Sequence, residues 1–126
     1  MSSTARELLE AAARGPEGLE AFLTRHPVSA HLANEVRGAF VRAAQAGQLE
    51  TAELAASVAS LLWLRLENTH EAFRNAIDHL QIRFQMAQDP AAYLAVRTKA
   101  LEVLSRLRSV QEDEFSFRAA VLAADA

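Results

Sequence analysis

The chain has 126 residues, of which 51% are hydrophobic and 23% are charged. This balance excludes a chain that is disordered by composition, and the length corresponds to one domain. The absence of cysteine excludes disulfides, thiolate metal sites and a cysteine nucleophile, and the net charge of −3 argues against a nucleic-acid-binding surface. Glycine (4) and proline (3) are scarce, which favours helices.

Two short helices are predicted in residues 1–27. Thr4 and Glu7 have the spacing of a capping box, in which two side chains bind the unpaired N–H groups at the start of a helix. Gly15 and Pro16 end the first helix and begin the second, because glycine commonly follows a helix and proline fits the first helical position.

Five longer helices are predicted in residues 28–126. Their expected starts recur every 19 to 21 residues, at Ser29, Gln48, Asn68, Asp89 and Ser109. Helices of similar length that are joined by short turns pack as antiparallel neighbours. The fold is therefore predicted to be all-α, with about seven antiparallel helices stacked as an α-α superhelix in a single helical-repeat domain. The alternatives are a non-repeating helical bundle and a domain that is one piece of a larger protein.

The fourth helix, expected from about Leu49 to Leu66, is apolar on more than one side. Glu53 is the only charged residue between Thr51 and Leu64. A helix that is apolar all round lies between other helices, so this helix is predicted to be central. Its longest uncharged stretch has 11 residues, which is too short to cross a membrane.

The first residues carry charges rather than the apolar core of a secretory signal, since Arg6, Glu7 and Glu10 follow closely on Met1. The protein is therefore expected in the cytoplasm, with neither a membrane nor nucleic acid among its partners. Arginine accounts for 12 of the 13 basic residues, and alanine is abundant. This bias is typical of a GC-rich bacterial genome.

Residues 56–80 carry the residue types of one helical hairpin. Ser60 is small, Trp63 is aromatic, a turn follows at residues 66–68, and Ala72 is the small residue near the start of the next helix. This pattern resembles the tetratricopeptide-repeat family, although the pair of helices here spans about 40 residues rather than about 34, and a glutamate takes the place of the usual turn glycine. The resemblance implies a solenoid scaffold that binds peptides or protein surfaces.

In that family the first helix of each pair lines a groove. The resemblance therefore implies that the groove includes four residues of the fourth helix, which are Ser57, Leu61, Leu64 and Arg65. An equal count along the sixth helix, which depends on helix spacing alone, adds Thr98, Glu102, Ser105 and Arg106. We expect Arg65 and Arg106 to bind a carboxylate of the partner through paired hydrogen bonds. Alternatively, the basic residues of the sixth helix only stabilise its C-terminal end.

No catalytic or metal-binding arrangement is recognised in the sequence. Glu67 and His70 have the spacing of a helical di-iron ligand pair, but no second pair accompanies them and a helix start falls between them. A nucleophile turn and a glycine-rich phosphate loop are absent. His79 is expected to be a partly buried structural residue, and Arg74 is expected to pair with Asp78 on the surface. No enzyme activity, cofactor or metal is therefore expected.

The sequence predicts a non-catalytic interaction or scaffold module that binds another protein or a peptide in a helical groove. The alternative is a self-associating helical bundle whose role is homo-oligomeric assembly, with a homodimer as its simplest form. The seventh predicted helix supports this alternative, because its apolar side chains would lie at an uncapped end of the stack. These side chains are Phe115, Phe117, Val121 and Leu122.

Overall fold

The computed structural model describes residues 2–87, 89–92, 94–95 and 98. Five helices lie in this part of the chain: α1 (Ser3–Ala13), α2 (Pro16–Arg25), α3 (Ala30–Gln45), α4 (Leu49–Arg65) and α5 (Thr69–Met86). Residues 90–92, 94–95 and 98 are helical as well, and the described residues contain no β-strand. The predicted all-α class is confirmed, whereas the predicted seventh helix lies outside the described residues.

Helix α1 begins two residues earlier than the sequence pattern predicts. Ser2 caps it, and the Ser2 Oγ accepts a hydrogen bond from the N–H of Ala5 at 3.2 Å. The N–H of Ser2 also donates to a carboxylate oxygen of Glu35 in α3 at 2.7 Å. This bond holds the pKa of Glu35 below its ordinary value and joins the start of α1 to α3. The predicted cap at Thr4 is wrong because the tertiary contact stabilises the earlier start.

Helices α1 and α2 form a short hairpin. Pro16 is the first residue of α2, as predicted, and Gly15 before it has a φ of 123°, which other residues rarely adopt. A Cβ atom added to Gly18 would lie 2.6 Å from the carbonyl oxygen of Ala11, so glycine permits the close approach of α2 to α1. Helix α1 also contacts α3 and α4, which places the hairpin against the longer helices.

The predicted starts of α3 and α5 are confirmed. The Ser29 Oγ accepts a hydrogen bond from the N–H of Leu32 at 3.1 Å. The Asn68 Oδ1 accepts one from the N–H of Glu71, also at 3.1 Å. Gln48 precedes α4 without a capping side-chain bond, so the start of α4 depends on the turn before it.

The same turn joins α3 to α4 and α4 to α5. Each turn contains one residue in the left-handed conformation, Gly47 at φ 74° and Glu67 at φ 59°. Two backbone hydrogen bonds close the end of each preceding helix in a Schellman motif. They join Gly47 N–H to Ala44 O and Gln48 N–H to Ala43 O in the first turn, and Glu67 N–H to Leu64 O and Asn68 N–H to Trp63 O in the second. The two turns lie 20 residues apart, and each reverses the direction of the chain between successive helices.

Helix α4 lies between its neighbours, as its apolar sequence predicts. It packs against α3, α5 and α1. Its buried residues are Ala52, Ala55, Ala56, Val58, Ala59, Leu62 and Trp63. The alanines among them let neighbouring helix backbones come close. The Ser60 Oγ donates to the carbonyl oxygen of Ala72 at 2.9 Å, so α4 and α5 meet at the two small residues of the predicted hairpin.

A polar cluster joins α3 directly to α5. Arg37 forms an ion pair with Asp78 and donates a second hydrogen bond to the Oδ1 of Asn75 at 3.0 Å. Asn75 is fully buried, and its Nδ2 donates to the carbonyl oxygen of Glu71 at 2.8 Å. The predicted surface pair of Arg74 with Asp78 is wrong, because Asp78 is buried and its carboxylate is bound by Arg37.

Candidate interaction surface

One side of α4 is open to solvent. The residues on it recur three or four positions apart, as residues on one helix face do. We name four of them the α4 stripe: Leu54, Ser57, Leu61 and Leu64. Leu54 and Leu61 also touch the core, whereas Leu64 is 50% exposed. The α4 stripe is therefore an apolar line that is only partly covered.

The structure brings together the predicted groove residues of the fourth helix. Three of them belong to the α4 stripe, and Arg65 adjoins its C-terminal end. Of those predicted on the sixth helix, Thr98 is helical and exposed. The other three lie outside the described residues, namely Glu102, Ser105 and Arg106.

Arg65 binds a carboxylate of its own chain. Its Nη2 pairs with the Oε1 of Glu20 in α2. This hydrogen bond and the opposite charge lower the pKa of Glu20 and raise the pKa of Arg65 relative to their ordinary values. The Glu20 side chain is 56% exposed and the Arg65 side chain is 38% exposed. Water therefore screens the ion pair, and the pair contributes little to stability. Sequence reasoning missed Glu20, since no spacing rule connects residues of two helices that are 45 positions apart.

Ser57 occupies the middle of the α4 stripe. Its Oγ donates to the carbonyl oxygen of Leu54 at 2.8 Å. The hydroxyl proton is therefore already bound within α4. The small side chain also leaves space above the centre of the helix, between the bulkier leucines.

The N-terminal end of the α4 stripe opens into a hollow of about 430 Å³. Its lining residues are Ala13, Glu50, Thr51, Glu53, Leu54 and Ser57. The Oε1 of Glu53 accepts a hydrogen bond from the Nη1 of Arg83 at 3.0 Å and lies 3.4 Å from the Nε2 of His79. Glu50 is exposed and makes no ion pair with any described residue. The uncompensated charge of the hollow is therefore that of Glu50.

A second hollow, of about 180 Å³, also has Glu53 in its lining. It is lined by Glu53, Arg83, Met86, Ala87, Ala92 and Ala95. Glu53, the single charge in the apolar part of the α4 sequence, thus lines both hollows and is bound by Arg83 of α5. His79 is partly buried beside it, as predicted.

The described residues contain no group of three His, Cys, Asp or Glu side chains that could hold a metal ion. Glu67 lies in the turn after α4, and His70 lies in the first turn of α5. None of the helices in the same part of the chain is both long enough and apolar enough to cross a membrane.

No model of a protein family, no curated protein and no solved structure matches this chain. The resemblance of residues 56–80 to the tetratricopeptide-repeat family therefore stays a prediction from the sequence.

Proposed function

We propose that this chain is a non-catalytic protein-interaction module that binds a peptide or a protein surface along the α4 stripe. The observation that carries the proposal is the apolar line on α4, which ends in the half-exposed Leu64. Covering the exposed half of one leucine side chain contributes roughly 1 kcal/mol of hydrophobic free energy. A partner with an apolar face would gain this contribution at several residues at once.

A helical segment of the partner fits the α4 stripe better than an extended one. Strand addition requires an open sheet edge, and the described residues contain no strand. The backbone groups of α4 are bonded within the helix, so they offer no ladder to an extended peptide. The apolar residues of the stripe recur at helical spacing, which matches the apolar face of an amphipathic helix.

The proposal includes a tetratricopeptide-like α-α superhelix in which α4 lines the groove. The repeated turn at Gly47 and Glu67 supports it, because two turns of the same type arrange the helices on either side of them in the same way. The hydrogen bond from Ser60 to Ala72 supports it as well, since small residues meet at this position in the family's hairpin.

The polar side chains beside the stripe suit binding rather than catalysis. Ser57 donates its proton to a backbone carbonyl rather than to a base, so its oxygen is not activated as a nucleophile. Arg65 is held by Glu20, and Glu53 is held by Arg83. These contacts fix the surroundings of the α4 stripe.

The proposal is tested by capture from the lysate of the source cell with the tagged chain, quantified by mass spectrometry. Leu64→Asp places a charge on the α4 stripe and is expected to lose the proteins that the native chain retains, its own untagged copies included. Val41→Asp is the matched control, because Val41 is 37% exposed on α3 and lies off the stripe. Circular dichroism checks that both variants keep their helicity. Equal recovery with Leu64→Asp, or no specific protein with the native chain, would contradict the proposal.

A further inference from the structure

We propose that the α4 stripe binds a second copy of this chain, with the two α4 helices antiparallel, so that Glu50 of each copy meets Arg65 of the other. This inference rests on the proposed function and names the protein surface that the α4 stripe contacts. It makes the chain a symmetric homodimer.

On the open side of α4, the sizes and spacings of the side chains are nearly the same whether the helix is followed forwards or backwards, and the two ends carry opposite charges. From the N-terminal end it presents an acidic residue, a leucine, a serine, a leucine and a basic residue, which are Glu50, Leu54, Ser57, Leu61 and Arg65. Their successive spacings are four, three, four and four positions. A two-fold symmetric contact places one surface against itself, reversed. The reversal brings leucine to leucine and the acidic end of each copy to the basic end of the other.

The centre of this contact suits the close approach of two helices. Ser57 lies at the middle of the pattern, where a large side chain would hold the helices apart. Its hydroxyl already donates to the carbonyl oxygen of Leu54 at 2.8 Å, so burial in an interface leaves no donor unpaired. The half-exposed Leu64, at the C-terminal end of the stripe, would be covered as well.

The charges select the antiparallel arrangement. Glu50 is exposed and makes no ion pair with the described part of its own chain. Arg65 uses Nη2 for Glu20, and a guanidinium has five N–H donors, so donors remain for Glu50 of the second copy. A parallel arrangement would set the unpaired Glu50 of each copy against Glu50 of the other, which like-charge repulsion disfavours, whereas Arg65 is already partly neutralised by Glu20.

The dimer is expected to be weak. A single pair of helices buries less surface than the roughly 1,600 Å² of a standard stable complex. The association must therefore be measured by sedimentation equilibrium over a wide range of protein concentrations.

The first experiment reverses one charge at a time. Glu50→Arg and Arg65→Glu are each expected to weaken dimerisation at least about tenfold, because each sets like charges opposite one another. Glu7→Arg is the matched control: Glu7 is an exposed residue of α1, and the change in net charge is the same as for Glu50→Arg. Helicity is checked for every variant, and Glu50→Arg carries the test alone if Arg65→Glu, placed beside Glu20, unfolds.

The second experiment mixes the Glu50→Arg and Arg65→Glu proteins in equal amounts. In an antiparallel mixed dimer, both end contacts join a basic residue to an acidic one. The mixture is therefore expected to dimerise at concentrations at which each variant alone is monomeric. If Arg65→Glu is unfolded, the double variant Glu50→Arg/Arg65→Glu cannot replace the mixture, because it contains the same change. The test is then the loss of dimerisation in Glu50→Arg compared with Glu7→Arg.

Three results would overturn the inference: a native chain that is monomeric throughout, Glu50→Arg that dimerises as well as Glu7→Arg, or a mixture of two folded variants that stays monomeric. The proposed function would survive each of these if Leu64→Asp still loses other proteins in the capture experiment. It would fail separately if that capture does not depend on Leu64.

Discussion

The two sides of α4 are built from similar residues and have different surroundings. On the buried side, Leu62 and four alanines are enclosed by α1, α3 and α5. On the open side, Leu54, Leu61 and Leu64 reach solvent to different degrees. Both sides are apolar in the sequence, so apolar character by itself does not separate packing from binding. Exposure separates them, because only the open side has apolar surface left for a partner to cover.

The largest expected difference between the two sides concerns two leucines of the same helix. Leu62 is fully buried, and Leu62→Ala is expected to lower the free energy of unfolding by about 2–5 kcal/mol, since it removes packed methyl groups and leaves a cavity. Leu64→Ala is the control, and its expected cost is below about 1 kcal/mol because the side chain is half exposed. Urea unfolding measures both. Equal costs would contradict the assignment of the two sides.

The next effect concerns the ion pair that joins α3 to α5. Asp78→Ala leaves the partly buried guanidinium of Arg37 without its carboxylate and is expected to cost roughly 2–3 kcal/mol, less than for a fully enclosed pair because Arg37 is 21% exposed. The double variant Arg37→Met/Asp78→Leu is expected to be less harmful, since it removes both charges. Arg74→Ala, at an exposed site of α5, provides the baseline in the same unfolding experiment. An Asp78→Ala protein as stable as that control would show that the cluster does not hold the helices together.

The turns at the two ends of α4 offer a smaller and opposite pair of effects. Glu67 has a φ of 59°, where a side chain is strained, and Glu67→Gly is expected to stabilise the chain by about 0.5–1 kcal/mol. Gly47→Ala makes the reverse change in the equivalent turn and is expected to destabilise by about 1 kcal/mol. The two shifts in melting temperature should have opposite signs. Shifts of the same sign would mean that the turns are not equivalent.

The smallest effect is a pH dependence on the open side. The pKa of Glu20 is lowered by Arg65, so the pair's contribution is present above the unfolded pKa, near 4.3, and is lost as the pH falls through the lower folded value. Glu20→Gln is expected to lose less stability than the native chain as the pH falls from about 5 through the lowered folded pKa of Glu20. Urea midpoints at several pH values measure the difference. Identical pH profiles would show that the pair is not formed in solution.

The local features of the fold could be predicted because they depend on neighbours in the sequence. Ser29 and Asn68 cap helices through N–H groups only three residues away, and Pro16 begins α2 through its own ring. The central position of α4 followed from the absence of charge around it. The cap at Thr4 was predicted wrongly, because Ser2 offers the same chemistry and gains a bond to Glu35.

The candidate site was predictable only in part. Residues on one face of a single helix could be grouped, so three of the four members of the α4 stripe were predicted together. The ion-pair partners of Arg65 and Glu53, which lie beside the stripe, could not be predicted. These partners, Glu20 and Arg83, approach α4 from other helices. The resemblance to the tetratricopeptide-repeat family predicted the position of the turn after α4. Glycine is usual at this position of the family, and the structure gives the reason: Glu67 adopts the left-handed conformation there.

The sequence by itself determined that this chain is helical, where most of the described helices begin and end, and that α4 is surrounded by other helices. Each of these depends on backbone chemistry or on the spacing of side chains within a few turns. The tertiary structure decided that Asp78 pairs with Arg37 rather than with Arg74, and that Arg65 is held by Glu20. It also decided which side of an apolar helix stays open. These outcomes depend on how each helix is rotated against its neighbours, and that rotation is set by the packing of residues that are far apart in the chain.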